Sequence, residues 1–415
     1  MIIYMLFFFL FPMLAADEWT NWAGNLTCNP QQIIKPRNLE HLKEIIKKAA
    51  VEKKTIRAIG TGHSWTDILC TDGYLLNTDH LNRVLVIDKE KKQIRVQAGI
   101  KLKDLIKVLA NNGLALPNQP AITEQSIAGV VSTATHGSGN TGTMADFVIK
   151  IELLAADGSI YEVSKTSHAE WFSACRMTIG SLGIIYAVTL QCVPLFWVSH
   201  IHYTTDWKII SHEYPNLHKN NDFFSFFLYA DSNEVAVDIF NKTEKSRTTW
   251  FSKILNTDTQ SKNIEYGYKV LSGQPSPLYL EEEIAVKQEI LVPAVEAVQK
   301  LIKEYKKKGV SIDGILCRFV NAEKDMYLSP AAGRDVVFIS VTTPVQEKFM
   351  PFYKEFYKTL LPFNGRPHWG KLNYLTYEDA FKLYGENLTK FIDVRKKLDL
   401  NGMFSNNFTK RVFGW

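Results

Sequence analysis

The 415-residue sequence has only five cysteines, at Cys28, Cys70, Cys175, Cys192 and Cys317, and no Cys-x-x-Cys pair. Without such pairs the common zinc frameworks are excluded, and no metal site is expected. Five is odd, so the cysteines do not form a complete disulfide framework. One or two bridges suit an exported chain, with the pairing left open. An excess of one charge is lacking too. The net charge is +5 and the lysines are dispersed, whereas nucleic-acid-binding chains gather basic residues into a patch. Nucleic acid is not an expected partner. Repeats and long biased segments are absent, which removes solenoids and disordered tails.

Long apolar runs are scarce, with one exception. Residues Ile2–Ala15 are apolar almost without a break, and Ala15-Ala16 precede Asp17. The run is short for a membrane span of about 20 residues and right for a signal-peptide core. No Lys or Arg precedes it, and Pro12 interrupts it. The expectation is an exported protein with residues 1–16 as signal peptide; the alternative is an N-terminal membrane anchor. Four triplets match glycosylation acceptors, at Asn25, Asn241, Asn387 and Asn407, and they matter only in a secreted eukaryotic protein.

What remains is an ordinary globular sequence long enough for two domains. Residues 38–54 carry Leu39, Leu42, Ile45, Ile46 and Ala49 at helical spacing. Strands are expected at Thr55–Ile59, Tyr74–Asn77, Val84–Asp88, Gln93–Ala98 and Gly183–Val193, and a helix at Leu102–Asn111 ending at Gly113. Val148–Ala155 and Ile160–Val163 read as a hairpin turned by Asp157-Gly158. Residues 197–245 alternate like strands, and 246–279 read as a loop or lid. Helices are expected at Ala294–Lys308, Met350–Leu361 and Leu388–Leu398, and strands at Gly314–Val320 and Val336–Thr342. The class is α+β, with a boundary near residue 197 dividing 17–197 from 198–415.

Two glycine-rich stretches carry the chemistry. Ala58, Ile59, Gly60, Thr61, Gly62, His63 and Ser64 continue a strand into a loop. Glycines there let backbone N–H groups approach a pyrophosphate closely. The third glycine of a Rossmann fingerprint is missing. The second stretch, from Ser126 to Gly142, offers hydroxyls at Ser126, Ser132, Thr133 and Thr135 and glycines at Gly129, Gly137 and Gly139. Either stretch alone reads equally well as a turn; together they suit a long polar cofactor.

At these residues the sequence resembles the FAD-dependent aldonolactone oxidases of the vanillyl-alcohol oxidase superfamily. That group includes L-gulonolactone oxidase and D-arabinono-1,4-lactone oxidase, and the alditol oxidases are similar. The resemblance runs in order through Asn21-Trp-Ala-Gly-Asn, Gly60-Thr-Gly-His-Ser, Ala134-Thr-His-Gly-Ser-Gly, Leu328-Ser-Pro, Gly365-Arg-Pro-His-Trp-Gly-Lys and Gly402-Met-Phe. It implies a two-subdomain PCMH-type FAD-binding domain followed by an α+β substrate domain. It implies FAD, with His63 either bonded to the flavin or packed beside it without a bond. It also places Pro120, Ala121, Ser126, Gly129, Thr133, Ala134, Thr135, His136, Ile185 and His368 at the cofactor. Lys371 and Arg318 are implied as the cations near the reduced flavin and the substrate oxygen, and Thr342 as a substrate contact.

Three departures bear on the substrate. Relatives carry Glu two residues before the arginine, where this sequence has Leu316. An apolar side chain neither binds a hydroxyl nor accepts a proton, so either the substrate is oriented differently or another group serves. Alditol oxidases have Ser and His where Ala121 and Ser340 stand here, and Ala121 resembles the lactone oxidases. Pro120 fits oxygen reactivity. The resemblance implies oxidation of a secondary alcohol on a sugar lactone, with hydride passing to flavin N5 and O2 reoxidising it to give H2O2. Alditol or sugar oxidation, a dehydrogenase using a cytochrome or quinone, and a flavin- or carbohydrate-binding protein without turnover are the alternatives.

Overall fold

The computed structural model describes residues 18–244, 263–273 and 277–414. The proposed signal segment lies outside the described residues, as do 245–262 and 274–276 of the expected loop.

Two main sheets build the first region. β1 (Gln32–Ile34), β2 (Ile56–Ile59) and β3 (Tyr74–Asn77) form a parallel sheet in the order β1-β3-β2. Parallel strands need a crossover, and α1 (Leu39–Glu52) supplies it between β1 and β2. Asn38 caps α1, accepting from His41 N. Leu42, Ile45, Ile46 and Ala49 are buried on its inner face, burial worth about 1.5–3 kcal/mol for each large side chain. Met403 and Phe404 join that same apolar cluster. Ile56 N donates to Met403 O at 2.7 Å, and the Asn406 side chain donates to the carbonyls of Asp67, Ile68 and Cys70. Residues far down the chain therefore close the edge of this small sheet.

The second sheet is antiparallel. β4 (Val84–Asp88), β5 (Gln93–Gln97), β6 (Val148–Leu154), β7 (Ile160–Ser164) and β8 (Ile184–Gln191) run in the order β7-β6-β8-β5-β4. The β6–β7 hairpin sets Ile160 opposite Leu154, and Gly158 takes the positive φ of +82° its turn needs. Helix α2 (Leu102–Asn111) and the short α3 (Ile127–Ser132) lie between β5 and β6 in the chain. The pairing of the cysteines is resolved here: Cys28 is bonded to Cys70, while Cys175, Cys192 and Cys317 are free and buried.

From residue 197 the chain builds a larger antiparallel sheet. Its strands are β9 (Trp197–Asp206), β10 (Phe223–Tyr229), β11 (Glu234–Thr243), β12 (Asn263–Tyr266), β13 (Tyr279–Lys287), β14 (Gly314–Val320), β15 (Val336–Pro344) and β16 (Arg366–Pro367). Among the described residues the order is β12-β9-β11-β10-β14-β15-β13-β16. One expectation fails within it. Residues 197–245 are not all strand, because α4 (Trp207–Asn220) follows β9 directly. Asp206 caps α4 by accepting from Lys208 N, and Trp207, Ile210, Tyr214 and His218 bury one face. Pro215 lies inside the helix and weakens its signal in the sequence, since proline removes a helical N–H. In the expected loop, residues 263–266 are strand and Gly267–Val270 a helical turn. Helices α5 (Leu291–Lys307) and α6 (Met350–Leu360) pack behind the sheet. No helix among the described residues is long and apolar enough to cross a membrane.

Candidate active site

β2 is short, and at Gly60 the chain turns beside Ser126 at the start of α3. An added Cβ at Gly60 would lie 1.9 Å from Ser126 Oγ, so the two glycine-rich stretches meet only because residue 60 has no side chain. Gly62 has φ of +69°, and a Cβ there would press to 2.8 Å on the Trp19 ring. The loop is held from outside. Trp22 N donates to Gly62 O, and the amides of Asn21 and Asn25 donate to the carbonyls of Ser64 and Trp65. The acceptor nitrogen of the Asn25 triplet is thus committed to the fold.

This loop walls a cavity lined by residues of both glycine-rich stretches. Ala58, Ile59, Gly60, Thr61, Gly62, His63, Ser64, Ser126, Gly129, Thr133, Thr135, Ile185, His368 and Lys371 all line it. Ala134 does not. It is fully buried and takes a positive φ of +63°, turning the chain between Thr133 and Thr135. Arg57 also lines the cavity and was not anticipated. Its guanidinium donates to Ile179 O, Gly180 O and Phe404 O and so fixes the turn before β8.

His63 is the notable side chain in this cavity. Trp22 stacks on it at 4.7 Å and 24°. Its Nδ1 is buried with no hydrogen-bond partner in the protein. Burial, and then Lys371, push its pKa down to about 4. The ring is therefore neutral near pH 7, the form that can act as a nucleophile.

A second cavity of about 550 Å³ adjoins the first. Gln125, Thr135, His368 and Lys371 line both, so these four mark the wall the two spaces share. Pro120, Ala121, His136, Arg318 and Thr342 line the second. Pro120, Ala121 and His136, expected at the cofactor, thus face this space and not the first cavity.

Two carboxylates stand on the same sheet face as Leu316. Leu316 of β14 lies opposite Ser340 of β15, which lies opposite Glu283 of β13. Alternation along β13 puts Glu281 on the same face. Glu283 is ion-paired with Arg318, and Glu281 with Lys371. Glu281 also accepts from Ser340 Oγ at 2.6 Å and lies 3.8 Å from Arg318. Burial alone would raise the Glu283 carboxyl; Arg318, His136 and Lys371 outweigh it and hold Glu283 well below the usual carboxylate range. The sequence did carry a signal, since three successive glutamates inside an apolar strand are rare in a fold that buries few charges.

The histidine tautomers follow from their partners. His136 Nδ1 contacts Gly137 O at 2.7 Å. A carbonyl only accepts, so Nδ1 carries the proton and the neutral ring presents a lone pair at Nε2. That Nε2 has no hydrogen bond and lies 3.4 Å from Glu283 Oε2, also unpartnered. A proton taken up at Nε2 would face that carboxylate. Phe338 stacks on the ring at 3.8 Å and keeps it in place. In His368 the roles reverse: Nδ1 accepts from Gly370 N at 3.0 Å, so the neutral ring donates through Nε2. Burial lowers the pKa of both rings, with Glu283 opposing.

Comparison with known proteins agrees with this geometry. Residues 30–164 match the FAD binding domain model and 247–412 the D-arabinono-1,4-lactone oxidase model. The chain is 31% identical to the L-gulonolactone oxidase of Mus musculus, covering 95% of this chain and 98% of that protein. It is 30% identical to an L-gulono-1,4-lactone dehydrogenase of Mycobacterium tuberculosis, covering 95% and 99%. Its fold matches the crystal structure of cholesterol oxidase from B. sterolicum with a TM-score of 0.79 at 14% identity, covering 96% and 97%. The chain belongs to the family of FAD-dependent aldonolactone oxidases. FAD is its cofactor, and the glycine-lined cavity with the unpartnered His63 nitrogen fits that group.

Proposed function

We propose that the chain oxidises a secondary alcohol of a five-membered sugar lactone, with residues 17–197 holding FAD and 198–415 holding the substrate. One observation carries this reading: a cavity lined by both glycine-rich stretches shares a wall with a second cavity holding two carboxylates, two cations and an unpartnered imidazole nitrogen. Bound FAD supplies two-electron acceptance and passes the electrons to O2. The chain's own groups supply the rest.

Arg318 and Lys371 bind the oxygens of the substrate, each oriented by its glutamate. His136 Nε2 takes the hydroxyl proton as hydride leaves the adjacent carbon, and Glu283 Oε2 stabilises the imidazolium formed. Positioned proton transfer of this kind contributes about 10²–10⁴-fold. His368 Nε2–H and Lys371, on the shared wall, stabilise negative charge that develops beside them. Ala121 lines the substrate cavity where alditol oxidases have Ser, which favours a lactone over an open polyol. Anaerobic mixing with a panel of aldonolactones and alditols tests the reading: lactones bleach the flavin absorbance, and a panel that leaves it unchanged refutes it. Pro120 on the substrate cavity supports oxygen as acceptor. The mycobacterial relative named a dehydrogenase is the ground for the second reading, which slow reoxidation in air would favour.

His63 Nδ1 forms the bond to the flavin in this reading, because it is neutral, buried and without a partner. Flavin that stays with the denatured wild-type chain, and separates from a His63→Ala chain, is the expected result. The chain is exported: the apolar Ile2–Ala15 run and the Cys28–Cys70 disulfide both suit an oxidising compartment. Mass measurement of the mature N-terminus checks removal of residues 1–16.

A further inference from the structure

A second histidine cluster lies outside the catalytic machinery, on the outer strands of the large sheet. His200 and His202 are two apart on β9, so alternation sends both side chains to one face. Asp238 stands directly opposite His202 on β11, in an unbroken ten-residue ladder. His200 Nε2 lies 2.7 Å and His202 Nδ1 3.0 Å from the same oxygen, Asp238 Oδ1. The three ligand atoms fall within 4.8 Å of one another.

We infer that His200, His202 and Asp238 form a binding site for a divalent transition-metal ion of the zinc class. Two imidazoles and one carboxylate are a nitrogen–oxygen donor set suited to zinc, nickel or copper, while calcium and magnesium prefer all-oxygen sites. Zinc bonds to nitrogen and oxygen are about 2.0–2.2 Å long, which puts tetrahedral ligand atoms about 3.4 Å apart. The observed contacts need to open by about half an ångström, within reach of side-chain rotation while the paired strands stay fixed. The His200 ring is steadied by Phe240, stacked at 4.1 Å and 10°. The side chains of His200, His202 and Asp238 are 26%, 48% and 39% exposed, so an ion reaches them from solvent and water completes its shell.

The cluster is built into the same sheet face as the substrate site. Asp238 lies opposite Ser225 of β10, and Ser225 opposite Arg318 of β14. At about 4.8 Å per strand, Asp238 is about 10 Å from Arg318 across the sheet. The bound ion bridges β9 to β11 at the side of the sheet remote from β13. Sequence spacing hides the site, because Asp238 is 36 positions from His202.

Titration of the flavin-loaded, metal-stripped full chain with ZnCl2, followed calorimetrically, tests the inference. Wild type is expected to bind one equivalent and to melt at a higher temperature with zinc than without, since a ligand of the folded state stabilises it. His202→Ala and Asp238→Asn are expected to weaken binding at least about tenfold and to abolish the melting shift, as lost ligands do. Flavin absorbance and the zinc-free melting curve show that each variant is folded. A wild type that takes up no zinc overturns the proposal. So does zinc uptake unchanged in both variants, which would move the ion to His136, Glu283 and His368, the other candidate cluster among the described residues.

Discussion

Replacing Glu283 by glutamine keeps its volume and removes its charge. The residue is fully buried, paired with Arg318 through Oε1 and facing His136 through Oε2. Removing one partner of a buried pair costs about 3–5 kcal/mol. Arg318 keeps Glu281 at 3.8 Å, which argues for the lower end, and at roughly 2 °C per kcal/mol for large domains the melting temperature falls by about 6 °C. The kinetic effect is larger. A glutamine amide can donate to His136 Nε2 and occupy the lone pair that takes the substrate proton, so flavin reduction slows by about 10²–10⁴-fold. Glu283 also holds the His136 pKa up against burial. Without it the imidazole protonates only at lower pH, and the acid limb of the rate profile moves to lower pH beneath a reduced plateau. Anaerobic stopped-flow reduction of the flavin across pH, on wild type, Glu283→Gln and Glu283→Asp, reads all three effects. Aspartate is expected to restore part of the plateau. A folded, flavin-loaded Glu283→Gln enzyme with a plateau within about threefold of wild type would remove His136 and Glu283 from the proton transfer.

Gly60→Ala forces a methyl to within 1.9 Å of Ser126 Oγ; loss of flavin from the purified chain, seen in its visible spectrum, is expected, and full occupancy would show that the loop has room. Cys28→Ser opens a loop of 42 residues that encloses the flavin loop; a loss of about 2–4 kcal/mol, read by denaturant titration, is expected from the entropy released to the unfolded chain. Glu323 is buried, accepts from Thr143 N and Oγ1 and from Ser329 Oγ, and its pKa is raised by burial to about 7, against these hydrogen bonds. The folded state therefore holds the proton more tightly, so its contribution is complete below about pH 4.5 and is lost as pH rises through 7. The full difference is about 3 kcal/mol. Glu323→Gln should melt above wild type at pH 8 and close to it at pH 5; a difference unchanged between the two would show that the carboxyl is ionised throughout.

Much of the first region was legible because its signals are local. β3 and β4 lie where the apolar runs put them, and α1 starts at its asparagine cap. Gly60 and His63 were legible through a motif whose spacing is fixed by the loop itself. The second cavity was less so. Leu316 announced a missing acid, and the carboxylate on its sheet face, Glu283, lies two strands away in space. Register between distant strands is not written in any short stretch of sequence. The helix α4 was obscured by Pro215 among alternating residues, and Arg57 looked like a strand residue because its partners at Ile179, Gly180 and Phe404 are 122, 123 and 347 positions away. Ala134 shows a different limit: a motif residue can be required for the path of the backbone while touching nothing in the cavity.

The closure of the small parallel sheet by Met403, Phe404 and Asn406 has a consequence for biosynthesis. Arg57 reaches its final geometry only when the Phe404 carbonyl is present, and the Asp67–Cys70 carbonyls only when Asn406 is. A ribosome that has finished the glycine-rich stretches has therefore not yet made a flavin-competent protein. Cofactor capture waits for nearly the whole chain to emerge, and a nascent or truncated first half exposes an unfinished cradle.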